Sequence, residues 1–499
     1  MKAIHTHDLT PTSILSKTEK DFIYNGLDCC VTLEVLEAIE PQLDNLTRAV
    51  YEFEKALQGP ILEMNMHGVL VDLEERDRLI AHYNAQITRL EAQLRRLVSD
   101  GLGTSLNNWR SPDQIKALLY SYMGLPAVKI RGKVTANRDA LEKLEASYLD
   151  ARPIIAHLLL LRDLSKKVGV LKTRIDPDHR IRTSFSIAGT VTGRLASSFS
   201  EFGESGSNLQ NIEQRLRRIF VADPGMKFAY IDKEQAESRL VGAIEWNLFQ
   251  DGRYLDACES GDLHTSVCKL AWKDLAWVGD LKGDRAVAEQ PFYRQHSYRH
   301  MAKVLGHGTN YAGQPYTMAQ HTKIEKQIIA QFQSVYFNAF PAHERWHERV
   351  KQDLWSHGHL ISLTGRRRWF FGRRNDPEVQ RAAIAFDPQG SVGDILNRDM
   401  LNVWRLGICQ LLLQVHDAIL VQYPEAEEDT ILPKILGAMQ TPTELAFGRQ
   451  LIIPNEAKVG WNWAEFDDNN PDGLRKYRGG DERKRSRQPK TSILDRRFY

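Results

Sequence analysis

Apolar positions along this chain change their period more than once. Between residues 46 and 178, Leu, Ala, Glu and Arg recur at helical spacing, and Leu79 to Leu97 predicts a long amphipathic helix with a polar face. Further on, Leu158 to Leu161 forms an apolar stripe that runs into the basic stretch Arg162 to Lys167. Val31 to Ile39 reads as a shorter helix ended by Pro41. From Arg180 to Asn211 the character shifts to Ser, Thr, Gly and β-branched residues, which predicts strands and turns punctuated by Gly189 and Gly193. Phe228 to Asp232 is a short buried strand, and Gln235 to Trp246 a helix behind it. Residues 262–386 are again mostly helical. Leu411 to Val421 is almost wholly apolar except at His416-Asp417, the pattern of a buried β-hairpin whose turn carries the polar pair. No internal repeat is visible.

Composition narrows the class. The 499 residues leave room for two to four domains, and 42% hydrophobic content supports a real core. Net charge is only +2, so any nucleic-acid affinity must come from local basic patches. Five cysteines with no C-x-x-C pair suit a reducing compartment. The first residues lack the apolar core of a signal peptide, and no apolar run approaches the roughly 18 residues needed to span a bilayer. A soluble cytoplasmic protein without a membrane role is expected. The end of the chain, Asp472 to Tyr499, carries ten Lys/Arg against four Asp/Glu and reads as a flexible basic tail.

Two aspartates 185 positions apart (417 − 232) give this pattern chemical content. Asp232 ends one strand-like run and Asp417 interrupts another. An Asp at a strand end either caps the next helix or serves as a ligand, and Asp232 alone does not choose between them. Between the two aspartates, Arg299, Lys303, His307 and Tyr311 follow at four-residue steps and share one helix face. Two carboxylates can hold divalent metals, and two cations on one face can grip a triphosphate, the combination that nucleotidyl transfer needs. An exposed Arg/Lys face is ordinarily just solvated. Here Gly306 and Gly308, each costing ~1 kcal/mol in a helix relative to Ala, suggest close packing instead.

At this point the chain resembles the family A DNA polymerases, the DNA polymerase I type. Asp232 through Arg239 is similar to the motif D-Y-S-Q-I-E-L-R, keeping Asp, Gln, Glu and Arg. Arg299 through Ala312 resembles R-x-x-x-K-x-x-x-F-G-x-x-Y-G, and Val415-His416-Asp417-Ala418 resembles V-H-D-E. Thr192-Gly193-Arg194-Leu195, Asn208 to Ile212, Asp262-Leu263-His264-Thr265, Thr364 to Arg368 and Gln389-Gly390-Ser391 match further family segments in order, as do Gly68 to Asp72 and Ser111 to Ile115.

The resemblance implies an α+β, right-hand polymerase. Its divisions are a remnant of a 3′–5′ exonuclease domain at 1–45, thumb and connecting helices at 46–180, palm at 181–262 and 387–470, fingers at 263–386, and the tail from 471. It implies a template-directed DNA polymerase, acting as a monomer on primer–template DNA and dNTPs. Asp232, Asp417 and the backbone carbonyl of Lys233 are expected to hold two Mg²⁺, with Lys303 protonating the leaving group. Arg299, Lys303 and His264 are expected to grip the triphosphate. Glu237 is expected to crowd the sugar 2′ position, His307 to meet the sugar, and Tyr311 to stack near the templating base. Arg194, Asn208, Gln210, Asn211, Arg381, Gln389 and His416 are expected along the DNA.

Departures from the family pattern mark a divergent branch of phage type. Ala418 replaces a Glu, His307 an aromatic, Ala312 a Gly, and Lys233-Glu234 stand for Tyr-Ser. Tyr24 to Asp28 resembles the Y-x-x-x-D that closes the family's exonuclease site, but no D-x-E precedes it. The expectation is that this chain does not proofread alone, with a separate exonuclease polypeptide or other replication proteins as partners. His343-Glu344-Arg345-Trp346-His347 fits the zinc-protease pattern H-E-x-x-H, yet also lies in a family-like F-P-x-x-x-x-W segment. It is read as an amphipathic helix with exposed histidines. A related single-subunit RNA polymerase and a non-catalytic DNA-binding replication scaffold are the alternative functions.

Overall fold

The stripe between residues 79 and 97 lies inside a longer helix than its periodicity marks. The computed structural model describes residues 16–479 except 188, 201, 204, 205, 294 and 295, so most of the basic tail lies outside the described residues. Helix α1 (Lys17–Ile39) opens on a capping box formed by Ser16 and Glu19 and buries none of its residues. Helix α2 (Leu73–Leu102) is capped by Asp72, whose carboxylate accepts from the Glu75 N–H, and ends at Gly103 with φ 59°. It buries Leu79, Tyr83, Ile87, Leu94 and Val98 along one face and packs on α3 (Arg152–Leu171), which buries Leu158, Leu161, Leu164 and Val168.

The helical arm joins a five-stranded antiparallel sheet. Its strands are β1 (Met226–Lys233), β2 (Gln410–Val415), β3 (Ala418–Pro424), β4 (Asn455–Gly460) and β5 (Arg475–Lys476), in the order β2-β3-β1-β4-β5. Phe228, Ala229 and Ile231 of β1 and Leu420 and Val421 of β3 are fully buried, in one core with the arm helices. Three helices follow β1: α4 (Ala236–Phe249), α5 (Arg253–Glu259) and α6 (Leu263–Ala271). They lead into a second helical body built from α7 (Tyr298–Asn310), α8 (Lys326–Ala339) and α9 (Ala342–His357), which has its own core. Helix α10 (Pro377–Leu406) returns the chain to the sheet with Pro388 inside it. The expected α+β class holds. Two short antiparallel strand pairs, Pro291–Tyr293 with His296–Ser297 and His359–Ile361 with Arg367–Trp369, interrupt the stretch expected to be helical. No helix among the described residues is long and apolar enough to cross a membrane.

Candidate active site

Sheet register brings the two distant aspartates together. Strands β2 and β3 leave only His416-Asp417 to turn the chain, and His416 accordingly takes φ 55°. Ala418 pairs with Asp232 across β3 and β1, and the Lys233 N–H donates to the Asp417 carbonyl at 3.1 Å. Gln235, three residues after Asp232, also takes a positive φ of 55° to start α4. Non-glycine residues at positive φ are uncommon and cluster at functional sites. Here one adjoins Asp417 and another follows Asp232 by three residues.

The electrostatics favour a cation. Asp232 is exposed, yet partial burial of its carboxyl raises its pKa to about 6, and the nearby charges of Asp417 and Glu456 add to the shift. Burial likewise raises Asp417, against the attraction of Arg194. Two hard oxygen donors that repel one another fit a Mg²⁺ site. Glu456 was missed in the sequence. It pairs with Asp232 from β4, so a carboxylate flanks Asp232 on the side opposite Ala418. The side chain of Lys233 points the other way and is buried against Asp399 at 2.5 Å, with the Met439 carbonyl also accepting from it.

Above the aspartates runs a polar chain. Arg194 Nη2 donates to Glu237 at 2.7 Å and lies 3.5 Å from Asp417, while its Nε donates to the Gln389 carbonyl. The Tyr311 hydroxyl donates to the other oxygen of Glu237 at 2.7 Å, and His307 Nδ1 lies 3.9 Å from that oxygen. Lys303 and His307 are exposed on one face of α7, while Met301, Ala302 and Leu305 bury the opposite face. Arg299, on the same row, is tied to Asp262 at 3.0 Å, and Asp262 also caps α6 through Thr265. His264 sits beside this pair; burial, then the Arg299 charge, lowers its pKa to about 4, so it is neutral at pH 7.

Other expectations are refined. Gly308 does meet close packing, since a Cβ there would lie 2.5 Å from Met318 Cε, whereas one at Gly306 would meet Tyr336 at an ordinary 3.5 Å. Arg381 shares a groove with His307 and Gly308. Asn208 and Asn211 are exposed, but Gln210 is an internal strut that donates to the Leu195 and Gln414 carbonyls and accepts from the Ser197 N–H. The histidines expected to be exposed are buried: His343 is 0% and His347 6% exposed, and the Nε2 of each is engaged by Asn310. The sequence signal for that was Asn310 itself, a polar residue on the apolar side of α7.

A family model described as DNA polymerase family A matches residues 74–465. The thermostable DNA polymerase I of Thermus thermophilus is 27% identical over 441 residues, covering 82% of this chain and 47% of that protein. The DNA polymerase I of Chloroflexus aurantiacus is 27% identical over 475 residues, covering 89% of this chain and 46% of that protein. The chain thus spans about half the length of the curated relatives it matches. Among solved structures, the POL domain of Pol1 from M. smegmatis, in complex with DNA primer-template and dNTP, is similar with a TM-score of 0.69 and 24% identity. The match covers 87% of this chain and 74% of that one. That likeness is one of fold, a right-hand polymerase arrangement.

Proposed function

Because this chain belongs to DNA polymerase family A, we propose that it extends a primer 3′-hydroxyl with deoxynucleotides against a DNA template. The observation that carries the reading is the meeting of Asp232 and Asp417 at the β1–β3 register, beside the α7 row of Arg299, Lys303 and His307. Asp232, Asp417 and the Lys233 carbonyl are the groups that would hold Mg²⁺. A divalent metal held by them would supply the charge stabilisation that phosphoryl transfer to a 3′-hydroxyl needs. Arg299 and Lys303 present positive charge to a triphosphate, and Lys303, exposed on α7, is placed to give its proton to the leaving group. Neutral His264 adds a hydrogen-bonding nitrogen rather than a charge. Glu237, held by Tyr311 and Arg194, stands as a wall against a ribose 2′-hydroxyl. Arg194 lies against Asp417, His416 adjoins Asp417 along the chain and the Gln389 carbonyl accepts from Arg194; these three are assigned to the primer end, and exposed Asn208 and Asn211, with Arg381, to DNA.

We assign residues 46–180 to the thumb, 181–262 and 387–470 to the palm, and 263–386 to the fingers. The departures at Lys233, Glu234, His307, Ala312 and Ala418 support a phage-type replication role. Asp28 lies on the fully unburied α1, which supports the reading that the described residues do not remove mismatched ends. Nucleotide release from a mismatched 3′ end by the pure chain, abolished by Asp28→Ala, would overturn that part.

Primer extension tests the central claim. Asp232→Ala and Asp417→Ala are each expected to lower extension by at least about a thousandfold, on the scale of groups that stabilise charge in a transition state, with primer–template binding largely retained. Normal extension by either variant would end the assignment.

A further inference from the structure

Four helices converge on one buried amide. Asn310, 3% exposed at the end of α7, accepts at Oδ1 from the Tyr336 hydroxyl (2.7 Å, α8) and from His343 Nε2 (3.0 Å, α9). Its Nδ2 donates to the Tyr254 hydroxyl (2.9 Å, α5), and its backbone carbonyl accepts from His347 Nε2 (2.8 Å, α9). The last carbonyls of a helix have no partner within it, so His347 satisfies one such orphan from outside. Since a carbonyl only accepts, the His347 proton resides on Nε2, and burial holds that ring neutral with a pKa of about 4.

His343 has a second partner. Its Nδ1 lies 2.7 Å from Glu245 on α4, and both side chains are buried to within 1%. The ring thus stands between Asn310 and α4, at ion-pair distance from Glu245 but outside hydrogen-bond geometry with it. The Tyr311–Glu237 hydrogen bond joins the same two parts of the chain, since Tyr311 follows Asn310 directly and Glu237 lies on α4. Directional bonds fix relative height and rotation in a way that apolar packing, which tolerates sliding, does not.

We infer that His343 and His347 are positioning residues: they clamp Asn310 so that Tyr311 is held against Glu237, which keeps Glu237 placed to exclude ribonucleotides. This rests on the polymerase reading above. Residues that look like a zinc motif thereby serve a site they do not touch.

Single-nucleotide extension by the full chain tests it, with dNTP and rNTP compared for the wild type, His347→Ala and His347→Gln. Melting temperatures and primer–template Kd are measured alongside. His347→Ala is expected to raise ribonucleotide relative to deoxynucleotide kcat/KM by about tenfold, equivalent to ~1.4 kcal/mol, with Kd unchanged. The Gln variant, whose amide can reach the same carbonyl, is expected to recover most of the discrimination. A folded His347→Ala with wild-type discrimination, or one changed only in melting temperature, overturns the clamp. Should His347→Ala not fold, His343→Gln carries the same comparison with the same two outcomes. A wild type that extends no primer refutes the polymerase reading and this inference with it, a result distinct from an active wild type and an unaltered ratio.

Discussion

Lys233 shows how strongly surroundings decide what a side chain does. Its backbone lies at the aspartate pair, but its ammonium is 2% exposed against a fully buried Asp399. Burial pushes Lys233 down and Asp399 up, and their mutual attraction opposes both shifts. A buried pair is weak evidence for net stability, yet removing one member strands the other. Lys233→Ala is expected to destabilise the fold by ~3–5 kcal/mol, whereas Lys233→Met with Asp399→Leu recovers most of it; urea denaturation distinguishes them. His347 gives a pH signature. Its pKa is about 4 when folded against an ordinary 6.5, so protonation favours the unfolded chain. Its contribution is intact above pH 6.5 and lost as pH falls toward 4, up to ~3 kcal/mol. The fall in melting temperature over that window is expected to be shallower in His347→Gln than in the wild type; equal slopes would remove His347 as a cause.

Helix α4 carries Glu237 toward the aspartates and Glu245 into the clamp, so its seating matters twice. Gly242 makes that seating possible: a Cβ there would lie 2.7 Å from the Leu255 backbone nitrogen and 2.8 Å from its Cα. Backbone cannot step aside as a flexible side chain can. Gly242→Ala is expected to cost ~1–3 kcal/mol by forcing α5 away from α4, seen as a lower melting temperature. An unchanged melt would show that the two helices separate freely. At this scale the sequence was legible where a period ran long, as in α2, β1 and the β2–β3 hairpin. It was poor where no stripe existed. Periodicity marks only the end of α1 because the whole of it buries nothing, and the strands at 291–293, 296–297, 359–361 and 367–369 are too short to show alternation.

For the whole molecule, a net charge of +2 places any attraction for DNA in the local distribution of Arg and Lys. Primer–template affinity is expected to fall at least about tenfold between roughly 50 and 200 mM salt, because phosphate contacts release counterions; affinity indifferent to salt would count against phosphate-led binding. The sequence by itself determined the parts that are local. These are Asp232 at a strand end, Asp417 in a two-residue turn, and the four-step row from Arg299 to Tyr311, each written in a period that short-range geometry reads directly. Only the tertiary structure decided who meets whom. It set Glu456 beside Asp232 across a strand register, tied Arg299 to Asp262, turned Lys233 away onto Asp399, and buried two histidines around Asn310. Those choices join residues far apart along the chain; the Asp232–Glu456 neighbourhood follows from strand register, and the buried contacts from the need of buried polar groups for a partner, which a linear pattern can demand but cannot assign.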